Sequence, residues 1–152
     1  RFQRVLHFLN DRGTFRTHRN SAVIGLGLVR LRQGAIQTAR QLLEEGLGDG
    51  ENLYPYTYVL GLLGLATIAQ QEGDERGSRR LLRKALHYAG RRSLVEEYVE
   101  TVLAMAQLRP AGIPVQDLLA TTLDYVKGIG LQVAVPRLEQ ALQECQAAEF
   151  LL

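Results

Sequence analysis

The 152-residue chain lacks tryptophan and has one cysteine, one methionine and four prolines. A lone Cys145 permits no internal disulfide and no cysteine metal cluster, and an unpaired thiol suits a reducing cytoplasm. No apolar run approaches the ~18–20 residues that span a bilayer. The longest candidate, Thr57 to Ile68, is short and is interrupted by Gly61 and Gly64. No signal peptide is evident. Histidine is scarce too: His7, His18 and His87 fall on different segments without metal-ligand spacing. Lysine is almost absent, with Lys84 and Lys127 the two among eighteen Lys/Arg. The first residue is Arg1 and not Met, which fits a piece of a longer protein.

What is present is ordinary in amount and uneven in place. Hydrophobic residues make up 46% and charged residues 22%, the balance of one globular domain. Net charge is +2. Residues 1–92 hold fifteen Lys/Arg against eight Asp/Glu, and residues 93–152 hold three against eight, or +7 and −5. Codon bias is the simpler source of the arginines. A basic half that meets an acidic partner, or an end-to-end self-contact, is the alternative.

Apolar residues recur at helical spacing throughout, and no segment shows strand alternation. Phe2, Val5, Leu6 and Leu9 predict a helix over about 1–10. A second begins near Asn20 or Ser21, both good N-caps, and stops at Gln33-Gly34. Further helices are expected over about 35–47, 56–71, 75–89, 94–108, from Pro114 to about 127, and over about 135–150. The chain reads as all-α, with seven to eight helices.

The helices repeat. Laying Leu26-Gly27 over Leu65-Ala66 also pairs Val23 with Leu62, Gly34 with Gly73, Ala39 with Ser78, Leu43 with Leu82 and Leu47 with Leu86. All are thirty-nine residues apart. A fixed period of this length marks stacked supersecondary units. The units cover about 20–50, 56–90 and 94–130, flanked by helices at about 1–10 and 135–150. The third is degraded: Leu103-Ala104 follows Leu65-Ala66 by thirty-eight, Pro110 and Pro114 distort the turn, and Thr121 or Thr122 replaces an aliphatic residue.

These offsets resemble the tetratricopeptide repeat, whose first helix carries a Leu-Gly/Ala pair and whose second carries a small residue. The period exceeds the usual ~34, and the characteristic aromatic and closing proline are missing. The long period is similar to that of the helical sensor domains of bacterial maltose-activator-type transcriptional regulators and related signalling ATPases. The resemblance implies an antiparallel helix-pair superhelix in a cytoplasmic regulator, binding a protein or peptide. Sensing of a small-molecule inducer and an oligomerisation scaffold are the alternatives it leaves open.

The resemblance further implies a groove lined by first helices, including Ile24, Leu28, Leu63, Thr67, Val102 and Ala106. Arg32, Gln70, Gln71 and Arg109 are then its candidate polar contacts. Solvation of these residues, with flanking helices filling the groove, is the plain alternative. Arg76, Arg79, Arg80, Arg83 and His87 form a basic stripe opposite Leu82, Ala85 and Ala89. A solvated outer face is the simpler reading, and a docking stripe for an acidic protein is the sharper one. Direct nucleic-acid binding is not expected, because aromatics are not interleaved and the other half is acidic.

Three further features read as structural. Gly46-Leu47-Gly48-Asp49-Gly50 follows a helix and lacks the Gly-Lys-Ser/Thr ending of a phosphate loop. Glu96, Glu97 and Glu100 read as a solvated acidic face, and Tyr54, Tyr56 and Tyr58 as caps of the inter-unit core. No cofactor, metal or membrane is called for, and no catalytic constellation stands out.

Overall fold

The structure is a computed structural model that describes residues 14–48, 50 and 53–151. Its α-helices are α1 (Thr14–Arg32), α2 (Ile36–Leu47), α3 (Pro55–Gln71), α4 (Glu75–Arg91), α5 (Val95–Leu108), α6 (Val115–Gly128) and α7 (Val135–Phe150). A 3₁₀ turn, Gln132–Ala134, precedes the last. Among the described residues there is no strand; the protein is all-α. The helix expected over residues 1–10 lies outside the described residues.

Turn chemistry explains most of the boundaries. After α3, Gly73 adopts φ +80°, which costs glycine little because it has no Cβ. Its N–H donates to the Gln70 carbonyl, and the Asp74 N–H donates to that of Ala69 at 2.8 Å, the Schellman closure of a helix C-terminus. Asp74 then caps α4 by accepting from the Gly77 N–H at 2.9 Å. Gly34 repeats the closure between α1 and α2. At the third pair Arg109 takes the left-handed conformation instead, at φ 49°. Pro110 follows it and cannot continue the helix.

One boundary differs from the sequence expectation. Helix α1 starts at Thr14, so Asn20 and Ser21 lie inside it. No Gly or Pro interrupts residues 14–20, and tertiary contacts hold the extra turns. Arg19 bridges to Glu45 of α2 at 2.9 Å, and the His18 ring meets Tyr54, with centroids 5.6 Å apart. Asn20 is buried at the α1–α2 contact.

The helices stack in chain order. First helices form one layer, α1 on α3, α3 on α5 and α5 on α7, while α2, α4 and α6 form the other. Each second helix packs on its own first helix and on the next. The core is correspondingly segmental. Ile24, Ala39, Leu43 and Ile68 join the first pair to α3; Val59, Leu62, Ala66, Leu82, Ala85 and Met105 join the second pair to α5. Val99, Val102, Leu119, Val126 and Leu138 join the third pair to α7. Full burial of each such aliphatic side chain contributes roughly 1.5–3 kcal/mol. Contacts between neighbours are how stacked helix pairs hold together.

Burial also corrects the third register. Val99, Val102 and Ala106 occupy the buried places of Val59, Leu62 and Ala66, forty residues on. Leu103-Ala104 therefore does not replace Leu65-Ala66. In α6 burial sets another offset: Leu119, Leu123 and Val126 occupy the buried places of Ser78, Leu82 and Ala85, forty-one residues on. Tyr125 is 56% exposed beside them, at a recess of about 310 Å³ that it lines with Leu94, Tyr98, Val99 and Thr122.

Candidate functional site: the face of the first helices

The structure separates the residues expected to form one groove. Ile24 and Val102 are fully buried, and Leu63 and Ala106 are 8% exposed, so these positions are core. The Thr67 hydroxyl donates to the Leu63 carbonyl within its own helix. Arg32, Gln71 and Arg109 are exposed at the C-terminal ends of α1, α3 and α5. Gln70 is half-buried, and its Oε1 is buried without a hydrogen-bond partner. Arg109 lines a separate cleft of about 400 Å³, between the Pro110–Val115 connector and Cys145, Ala148 and Glu149 of α7. These four mark one edge of the stack. They do not meet in one recess.

The basic stripe divides as well. Arg79 donates to the Ala111 carbonyl at 2.8 Å, and Arg83 approaches that of Gly112 at 3.5 Å. Both brace the connector between α5 and α6. Arg76, Arg80 and His87 are exposed on the outward side of α4.

A different constellation spans three first helices. Tyr56 at the start of α3, Glu96, Val99 and Glu100 of α5, and Val133, Ala134 and Arg137 line a recess of about 330 Å³. Pro55 at the first position of α3 suits that terminus, where its missing N–H is no loss, and places Tyr56 in the opening turn. Glu96 and Glu100 share a side of α5 because residues four apart lie one above the other. Arg137 clasps Glu100 with two nitrogens, at 2.6 and 3.2 Å. This planar pairing fixes the recess geometry across α5 and α7.

Electrostatics follow from the packing. Partial burial, then the Glu100 carboxylate, pushes the Tyr56 phenol above its ordinary 10.0, since both disfavour a phenolate. The hydrogen bond that Arg137 donates to Glu100, and secondarily the charge of that carboxylate, raises the Arg137 guanidinium. Among the described residues, neither Glu96 nor Glu97 on the same helix forms an ion pair. The recess thus offers an aromatic wall, apolar Val99 and Val133, and carboxylates in excess over Arg137.

Sequence reasoning missed this site. Glu96 and Glu100 read as a solvated face and Tyr56 as a core cap. The four-residue spacing of the two carboxylates was the available signal. Nothing local marks Arg137, thirty-seven residues from Glu100. Among the described residues, no group of three or more His, Cys, Asp or Glu could hold a metal ion. No described helix is long and apolar enough to cross a membrane. No protein-family model, curated protein or solved structure matches the chain.

Proposed function

We propose that this chain is a protein- or peptide-binding helical-repeat module of the tetratricopeptide type, serving a bacterial signalling or transcriptional regulator. The observation that carries the reading is the recess shared by α3, α5 and α7. Three successive repeat helices contribute Tyr56, Glu96, Glu100 and Arg137 to it. A surface assembled this way suits an extended ligand that crosses helices, and its acidic excess favours a peptide with a Lys or Arg side chain beside an apolar one. The Tyr56 ring adds a cation–π face for the same cation.

Amide chemical-shift titration with basic and acidic 12-residue peptides tests the reading. The basic set should shift residues around Tyr56, Glu96 and Glu100, and Glu96→Lys should abolish the response. Equal responses to both sets, or none, would overturn it.

A small-molecule sensor is the second reading, favoured by the recess beside Tyr98 and Tyr125. Its lining carries no charged side chain, which suits an uncharged, largely apolar ligand. Binding of such a compound with shifts confined to Leu94, Thr122 and Tyr125 would replace the peptide reading.

A further inference from the structure

Helix α1 presents to solvent a face with the composition of an inner one. Ala22, Gly25, Leu26 and Val29 follow one another at helical spacing and are all exposed, Leu26 to 46% and Val29 to 48%. Thirty-nine residues on, the same register in α3 reads Gly61, Gly64, Leu65 and Ile68, and there it is the seam with the preceding pair. Ile68 is 2% exposed. A Cβ added to Gly64 would lie 2.9 Å from Leu28 and 3.0 Å from Leu43, and one on Gly61 3.0 Å from Leu47. A Cβ on Gly25 would meet nothing within 4 Å.

The opposite end of the stack differs. Helix α7 turns Glu139, Gln140, Gln143 and Glu144 outward, with Phe150 and Leu151 exposed past them, so its outward face is mainly polar where that of α1 is apolar. Contiguous exposed apolar side chains of this kind mark interaction surfaces.

Charge selects the occupant. Helix α1 contains no Asp or Glu; Arg19, before the apolar stripe, is already paired with Glu45, whereas Arg30 and Arg32 stand after it. Arg30 hydrogen-bonds the neutral Gln33 amide, which leaves its charge in place. Two copies of α1 face to face would offer Arg30 and Arg32 no carboxylate, and the exposed apolar residues at α7, Phe150 and Leu151, stand at its C-terminal end rather than in a stripe along it. We propose that the α1 face docks an amphipathic helix of another protein, with Leu-type residues in its stripe and Asp or Glu beside them. The partner seats as α3 seats on the first pair, continuing the stack. This inference is independent of the α3–α5–α7 recess.

Two fluorescein-labelled, helix-forming 18-residue peptides test it, with identical leucine stripes flanked by Glu in one and Lys in the other. The Glu peptide should bind saturably and about tenfold or more tightly than the Lys peptide, as like charges across an interface are repelled. Leu26→Ser with Val29→Ser should abolish binding while leaving the helical signal and thermal midpoint of the exposed-face variant near those of the parent. Equal affinity for the two peptides, or binding indifferent to the double variant, overturns the proposal. So does a dimer of the parent chain that the double variant dissolves. A face that binds the Glu peptide only after residues 1–13 are removed overturns it too, since the chain then covers its own seam.

Discussion

Helices α1 and α3 share one sequence register but not one environment. Gly64, Leu65 and Ile68 press α3 onto Leu28 and Leu43, while Gly25, Leu26 and Val29 of α1 face outward. The pattern of small and large residues defines a seam in both helices. Whether the seam closes depends on what lies beyond it. The comparison separates what a residue is from what it contributes, and substitutions at paired positions should expose the difference.

The largest contrast is between Ile68→Ala and Val29→Ala. The first should cost about 2–4 kcal/mol, because it removes buried atoms and leaves a cavity in the first cluster. The second should stay within about 0.5 kcal/mol, as exposed substitutions usually do. Urea midpoints at constant slope would measure both, and similar losses would show that α1 is covered in solution.

The glycine pair should differ in sign. Gly64→Ala forces a methyl against Leu28 and Leu43, and should cost about 1–3 kcal/mol. Gly25→Ala, with open space around it, should gain about 0.5–1 kcal/mol from helix propensity alone. Thermal melts of the two variants suffice; a destabilising Gly25→Ala would mean that the outer seam is occupied.

A smaller effect is expected where the pairs differ within their cores. Ala39 and Ser78 are register partners, both fully buried, but the Ser78 hydroxyl has no hydrogen-bond partner. Ser78→Ala removes the unmet polar group and should stabilise the second pair by about 1 kcal/mol. Loss of stability would reveal a bridging water instead.

The smallest effect belongs to the face shared by the first helices. The Tyr56 phenol is held above its ordinary 10.0, so the folded state binds that proton more tightly than the unfolded chain. Stability from this group is intact below pH 10 and falls as pH rises through the folded value. Tyr56→Phe should flatten that alkaline decline in denaturation curves at pH 9 to 11. An unchanged slope would place the titration elsewhere.

Much of the fold was legible because turns declare themselves locally. Gly34 and Gly73 adopt positive φ and close their helices by the same hydrogen bonds, and Pro110 stops α5 as its ring must. The α1 start was not legible. Asn20 has an N-cap's chemistry, but contacts of His18 and Arg19 with distant residues carry the helix further. The third register was blurred for a related reason. Leu103-Ala104 imitates the pair Leu65-Ala66, and only burial shows that Val99, Val102 and Ala106 hold the core positions. The basic stripe could be read as one face of α4, yet the bracing of Ala111 and Gly112 by Arg79 and Arg83 could not.

The sequence by itself determined an all-α chain of repeated helix pairs, since helical periodicity, small-residue spacing and turn glycines act over a few residues. The tertiary structure alone decided which seam closes, which residues of the third pair are buried, and that Tyr56, Glu100 and Arg137 share a recess. Those outcomes depend on side chains from different helices meeting in space, and a linear pattern does not encode that distance.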